Sequence, residues 1–211
     1  MVEHKNLLLT LSVIILLVSL INISVTLFKI SDFKKSYSGY TTGYVNITVL
    51  ESVVLEVTRD IIDWGSGQIN DSYPNATLYT SGNDTGVVER GNWSGENAKG
   101  IIVKNIGSVN CSLYIKTDKD AHDFFESFSS SNEEYKINVS DKESGSCYNP
   151  FFNISLWYDV NKTSPGDLFC EELSYYESNN EVFVDVLLTV PNDTTKLGVQ
   201  SDLITFTGTA A

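Results

Sequence analysis

The chain has 211 residues and a formal charge of −13, a length that suits one domain with an appendage. The acidic balance excludes a nucleic-acid partner, because phosphate binding needs a basic footprint. It equally disfavours docking on an anionic membrane surface, and solubility is its simplest consequence.

The first element is apolar. "NLLLTLSVIILLVSLINISVTLF" (Asn6–Phe28) carries no charge, and as a helix its length would be about 34 Å, enough for the hydrocarbon core of a bilayer. It is longer than a usual secretory signal and does not end in a small-residue cleavage site. The expectation is therefore a cytoplasmic leader over 1–5, a transmembrane helix or signal anchor over 6–28, a polar stalk over 29–43 and an extracellular domain over 44–211. The lysines after the helix (Lys29, Lys34, Lys35) would alone favour the opposite orientation. The sequons described below outweigh them.

Strand-like runs follow at Tyr44–Leu50, Val53–Thr58, Gly100–Asn105, Ser108–Thr117, Tyr135–Ser140, Phe152–Asp159, Glu181–Val190 and Asp202–Thr209. Turn-rich segments such as "DWGSGQINDSYPN", "SGNDTG", "RGNWSGENAKG" and "NKTSPGD" separate them. In "EVFVDVLLTV", Val182, Val184, Val186, Leu188 and Val190 share one face. This punctuation predicts a mainly β fold, an immunoglobulin-like or jelly-roll antiparallel β-sandwich. One helical exception, "DKDAHDFFESF", has Asp118 as its expected cap and Ala121, Phe124, Phe125 and Phe128 on one face.

Eleven Asn-x-Ser/Thr sequons punctuate the chain, where its composition would give about 4 by chance. Asn22 falls inside the apolar segment and is set aside. The other ten, Asn46, Asn70, Asn75, Asn83, Asn92, Asn110, Asn138, Asn153, Asn161 and Asn192, are the predicted glycosylation sites. Several alternate with core residues. In "IGSVNCSLYIKT" the register places Val109, Cys111, Leu113 and Ile115 on the packed face, with Asn110, Ser112, Tyr114 and Lys116 on the wet one.

Three cysteines leave one without a partner. Cys147 and Cys170 flank the Phe152–Asp159 run and are the predicted disulfide, which an extracellular location permits, with Cys111 a buried free thiol. The competing pairing bonds Cys111 and frees a loop cysteine. No C-x-x-C is present, and beyond the leader the chain has one histidine, His122, so neither a metal nor a cofactor is implied. His122 is read as a surface residue of its helix. A Ser/His/Asp arrangement lacks the G-x-S-x-G that would accompany it, and "WGSG" and "GNWSG" fit turns better. Asp118, Asp120 and Asp123 resemble the opening of a calcium loop without its glycine and closing glutamate. Glu133 with Glu134 and Glu171 with Glu172 are read as solvated pairs.

The succession of an N-terminal apolar helix, "GYTTGYVNITV", "IIDWGSG", "GIIVKNIGSVNCSLYIKT" and "VPNDTTKLGVQSDLITFTGTA" resembles uncharacterised membrane-anchored surface β-sandwich proteins of small-genome (DPANN-type) archaea. It is more faintly similar to camelysin-like and archaeal bundling-pilus subunits. The resemblance covers most of the chain and implies an exported sandwich without specifying an activity. The leading expectation is a single-pass, N-terminus-in, glycosylated surface protein with a structural or adhesive role. It is held by the membrane through 6–28 and open to self-association or to surface-protein partners. The alternative is a filament subunit assembled by donor-strand complementation through Tyr44–Leu50. A secreted hydrolase is the third reading, for which no constellation is present.

Overall fold

The computed structural model describes residues 11–27, 50–128, 132–149 and 156–211. The chain divides into two units, Met1–Val49 and Leu50–Ala211. In the first, residues 11–27 form helix α1. Its apolar side chains stand half or more exposed along the whole length, and the hydroxyls of Ser24 and Thr26 donate back to the carbonyls of Leu20 and Asn22. Among the described residues no helix is long and apolar enough to cross a membrane. The predicted span 6–28 extends beyond the described helix at both ends, and the stalk and the Tyr44–Val49 run lie outside the described residues.

The second unit is mainly β, with two antiparallel sheets around one core. The larger sheet holds β1 (Leu55–Arg59), β2 (Asn75–Ser81), β3 (Asp84–Glu89), β4 (Ile101–Asn105), β6 (Glu134–Asp141), β8 (Tyr158–Asp159) and β10 (Glu181–Pro191). The smaller runs in the order β11 (Ile204–Ala210), β5 (Cys111–Thr117), β9 (Asp167–Leu173), β7 (Cys147–Tyr148). From β4 onward, successive strands alternate between the sheets. Val103, Ile137, Val139, Val182 and Val184 from one sheet and Leu113, Ile115, Phe169 and Leu173 from the other share a single buried cluster. Each fully buried side chain of this size stabilises by about 1.5–3 kcal/mol.

Period-two alternation explains most of these strands. In β5, Cys111, Leu113 and Ile115 are buried while Ser112, Tyr114 and Lys116 are half-buried. The preceding Asn110 is half-buried as well, so the predicted wet face is only partly wet, because β5 lies between β9 and β11. The β2–β3 hairpin and β9 have no counterpart among the expected runs. Thr80 takes a core position beside Ala76 and Leu78 in β2, which weakens the apolar signal that alternation depends on. The short helix also differs from expectation. Asp120, not Asp118, caps α2 (Ala121–Phe125), its side chain accepting from Asp123 N–H in a capping box. Glu126 adopts φ 48° and ends the helix, so Phe128 lies past the cap and is 86 % exposed instead of packed.

β10 is the spine of the larger sheet. One flank pairs with β6 from Val182 to Thr189. The other is shared, by β4 along Glu181–Val184 and by β2 along Leu187–Pro191. Asp185 and Val186 fall between the two partners, where backbone donors would go unmatched. Side chains close the gap. Thr80 Oγ1 accepts the Val186 N–H at 2.9 Å and donates to Asp185 Oδ1 at 2.8 Å, and Gly82 N–H donates to the same oxygen at 2.8 Å. Arg59 crosses from β1, donating to the carbonyls of Gly82 and Gly100 and lying over the Phe183 ring. A side chain at Gly100 would put its Cβ 2.3 Å from Asp185 Oδ1, so only glycine fits there. Both faces of β10 are therefore buried here, with Asp185 6 % and Thr189 5 % exposed.

Two predictions follow from this junction. Asp185→Ala removes the acceptor of Thr80 and Gly82 and the countercharge of Arg59, and should cost about 3 kcal/mol in denaturant unfolding. Asp185→Asn, which keeps an acceptor oxygen, should cost less. Burial raises the Asp185 carboxyl above its ordinary value, against the pull of Gly82, Thr80 and Arg59. Its contribution is therefore fully present below the ordinary Asp value and is lost as pH rises through the raised folded value. Wild-type stability relative to Asp185→Asn should accordingly increase as pH falls from about 7 toward 4. A gap that stays constant across that range would contradict the assignment.

Candidate functional site

Eight of the ten predicted sequons lie among the described residues; Asn46 and Asn153 lie outside them. The topology gathers four, bringing Asn192 to three that lie between positions 70 and 92. The Asn70 N–H donates to Arg90 O at 2.9 Å and the Asn92 N–H to Gln68 O at 3.1 Å, which ties the approach to β2 against the exit from β3. Asn75 begins β2 and pairs with Pro191 at the end of β10, and the next residue, Asn192, donates its N–H to Pro74 O at 2.9 Å. Asn70, Asn75, Asn92 and Asn192 thus share one end of the β10–β2–β3 group. Asn83 occupies the turn at the other end of the β2–β3 hairpin.

Their surroundings fall into two kinds. Asn70, Asn83, Asn92 and Asn192 are exposed. Asn92 Oδ1 accepts from Gln68 N–H at 2.6 Å and Asn83 Oδ1 from Arg59 at 3.2 Å, and neither engagement uses Nδ2, the atom that bears the sugar in an N-linked glycan. Asn75, Asn110, Asn138 and Asn161 are half-buried. Asn75 Oδ1 accepts from Arg90, whose guanidinium lies over Tyr73. The Oδ1 atoms of Asn110 and Asn138 are sealed from water without a hydrogen-bond partner. Asn161 is committed at both ends of its amide, with Oδ1 accepting from Thr163 N–H and Nδ2 donating to Asp167, each at 2.8 Å.

The residues weighed for chemistry do not assemble around a reacting centre. A cleft of about 250 Å³ is lined by Asp120, His122, Glu133, Tyr135 and Asp159 among others. His122 is on the surface of α2 as expected, its side chain 63 % exposed, but its Nδ1 lies 3.0 Å from Glu133 Oε1. Glu133 is buried, with its second oxygen accepting from Ser127 N–H. The Ser127 hydroxyl donates to Asp193 at 2.6 Å, which spends it on structure. Lys162 Nζ sits 2.6 Å from both Asp120 and Asp123, and its hydrogen bond holds Asp123 below the ordinary carboxylate range. Asp118 pairs with Lys116 instead of joining them. Among the described residues no group of three or more His, Cys, Asp or Glu side chains is placed to hold a metal ion.

The other paired carboxylates separate for a simple reason: neighbours in an extended chain point to opposite faces. Glu133 turns inward while Glu134 bonds Lys136 and Thr189. Glu171 is half-buried and Glu172 exposed. In the glycine-rich segments, Gly65 and Gly95 adopt positive φ and Gly67 lies against the Trp93 ring, so these serve as turns. Tyr175 and Tyr176 stack with centroids 4.3 Å apart.

Cys147 and Cys170 form a disulfide, and Cys111 is a free, fully buried thiol. Burial pushes the Cys111 thiol up to about 11, which suppresses the thiolate needed for exchange. Iodoacetamide should therefore leave Cys111 unlabelled in the native protein at neutral pH and label it after denaturation. Rapid native labelling would show that this part of the core opens.

No protein-family model matches the chain, and no match was found among curated proteins or among solved structures.

Proposed function

We propose that this chain is a single-pass membrane protein, N-terminus in the cytoplasm, that presents a glycosylated β-sandwich outside the cell in a structural or adhesive role. The observation that carries the reading is the convergence of Asn70, Asn75, Asn92 and Asn192. Asn192 meets three acceptors of the 70–92 segment at one end of the larger sheet, and three of the four are exposed. The Cys147–Cys170 disulfide suits an oxidising exterior. The anchor reading draws on α1, whose apolar side chains face outward and whose serine and threonine hydroxyls are satisfied within the helix, as a lipid-facing segment requires. Alternation of successive strands between the two sheets favours a jelly-roll arrangement over an immunoglobulin one.

A filament subunit is the second reading, favoured by one feature. Among the described residues β11 pairs in its sheet only with β5, and on this reading its other flank takes a strand donated by a neighbouring copy.

The intact mass of the protein from native membranes, together with its N-terminal peptide, tests both readings. A mass above 23.4 kDa with the N-terminus retained is the expected result. Loss of roughly the first 24–40 residues, with material in fibres, would replace the anchor with the filament. An unmodified full-length mass would remove the argument for an extracellular, glycosylated domain.

A further inference from the structure

The four exposed sequons bracket one element. Asn83 sits in the turn of the β2–β3 hairpin, and Asn70, Asn92 and Asn192 surround its other end. Among the described residues β3 is an edge strand of the larger sheet. The loop after it covers part of that edge, through Gly86 N–H donating to Gly95 O at 3.1 Å. Asp84, Thr85 and Glu89 remain exposed. An open edge offers unpaired backbone groups to any second chain, and folded proteins guard such edges with charge, bulges or cover.

Three of the half-buried sequons are placed differently. Asn138 lies inside β6, between β10 and β8, directly across from the buried Asp185. Asn161 uses Nδ2 to hold Asp167 at the start of β9. Asn110 turns its oxygen away from water and accepts the Ala211 N–H on its carbonyl. A sugar on Nδ2 needs an exit to solvent, and these side chains are committed to packing or to a turn.

Building on the proposed glycoprotein, we infer that seven of the eight described sequons, all but Asn75, divide into two working sets. Asn70, Asn83, Asn92 and Asn192 carry glycans that shield the β3 edge, whereas Asn110, Asn138 and Asn161 are structural amides that stay bare.

Site-resolved mass spectrometry of glycopeptides from the full chain, purified from its native membranes, reads the division directly. Most molecules should carry sugar at each of the first four positions and few at Asn110, Asn138 or Asn161. Comparable occupancy at Asn138 or Asn161 would overturn the division while leaving the glycoprotein standing; absence of sugar at every site would overturn both. The shielding role is read separately, by light scattering of the full chain with all four exposed asparagines changed to Gln. That variant should self-associate with rising concentration, and adding Thr85→Lys on the edge strand should return it to the parent's state. A quadruple variant that scatters like its parent, or one that Thr85→Lys does not rescue, would overturn the shield.

Discussion

The larger sheet depends on how β10 changes partners. A strand that is paired along one flank by a single neighbour and along the other by two in succession must pass through a gap in its ladder. At Asp185 and Val186 that gap is filled by Thr80, Gly82 and Arg59. Without these groups the buried Val186 N–H would lack a partner, at a cost comparable to a lost hydrogen bond. The carboxylate is expensive to bury, and it is tolerated because two donors converge on one oxygen while a guanidinium lies nearby. This polar plug lets β2 and β4 follow one another along the same flank, and it thereby places the β2–β3 hairpin at the sheet edge.

The two sheets are also joined by polar means. Asn105, fully buried at the end of β4, donates from Nδ2 to Val109 O and across the sandwich to Leu173 O in β9. Its Oδ1 accepts from Gly107 N–H, and Asn180 closes on its backbone from both directions. Apolar contact between Val and Leu faces is nearly indifferent to sliding, whereas hydrogen bonds of fixed length are not. Asn105 therefore sets the registry between the sheets, and Asp185 that of β10 with β2 inside one of them, in a core whose stabilisation comes chiefly from burial.

Where alternation is carried by large apolar residues, the sequence locates strands well. β4, β5, β6 and β10 lie within a few residues of their expected bounds, and the Cys147–Cys170 disulfide is recovered. Where the inward positions are small or polar the signal fails. The β2–β3 hairpin hides behind Thr80 and its glycines, and β9 is missing from the expected runs, its first residue, Asp167, lying within the turn-rich "NKTSPGD". Helical spacing places Phe128 with Phe124 and Phe125, but that spacing ends at the left-handed Glu126. Asp185 is the clearest limit. Within "EVFVDVLLTV" it has the pattern of an outward polar residue, and only the shared flank of β10, a feature of topology, makes it buried.

The same limit governs the sequons. Local pattern treats all ten alike, since each has the acceptor tripeptide and most sit beside apolar neighbours. The fold separates them by what surrounds the amide: a turn leaves Asn83 and Asn192 exposed to water, a central strand holds Asn138 between two others, and an adjoining carboxylate engages Asn161. Long-range pairing then brings Asn70, Asn92 and Asn192 to one end of a hairpin whose outer strand has, among the described residues, one partner in the sheet. The loop that follows covers that strand in part, through Gly86 N–H donating to Gly95 O, and leaves Asp84, Thr85 and Glu89 exposed. In the proposed glycoprotein, sugars on the exposed acceptors would flank a strand that the fold leaves partly uncovered.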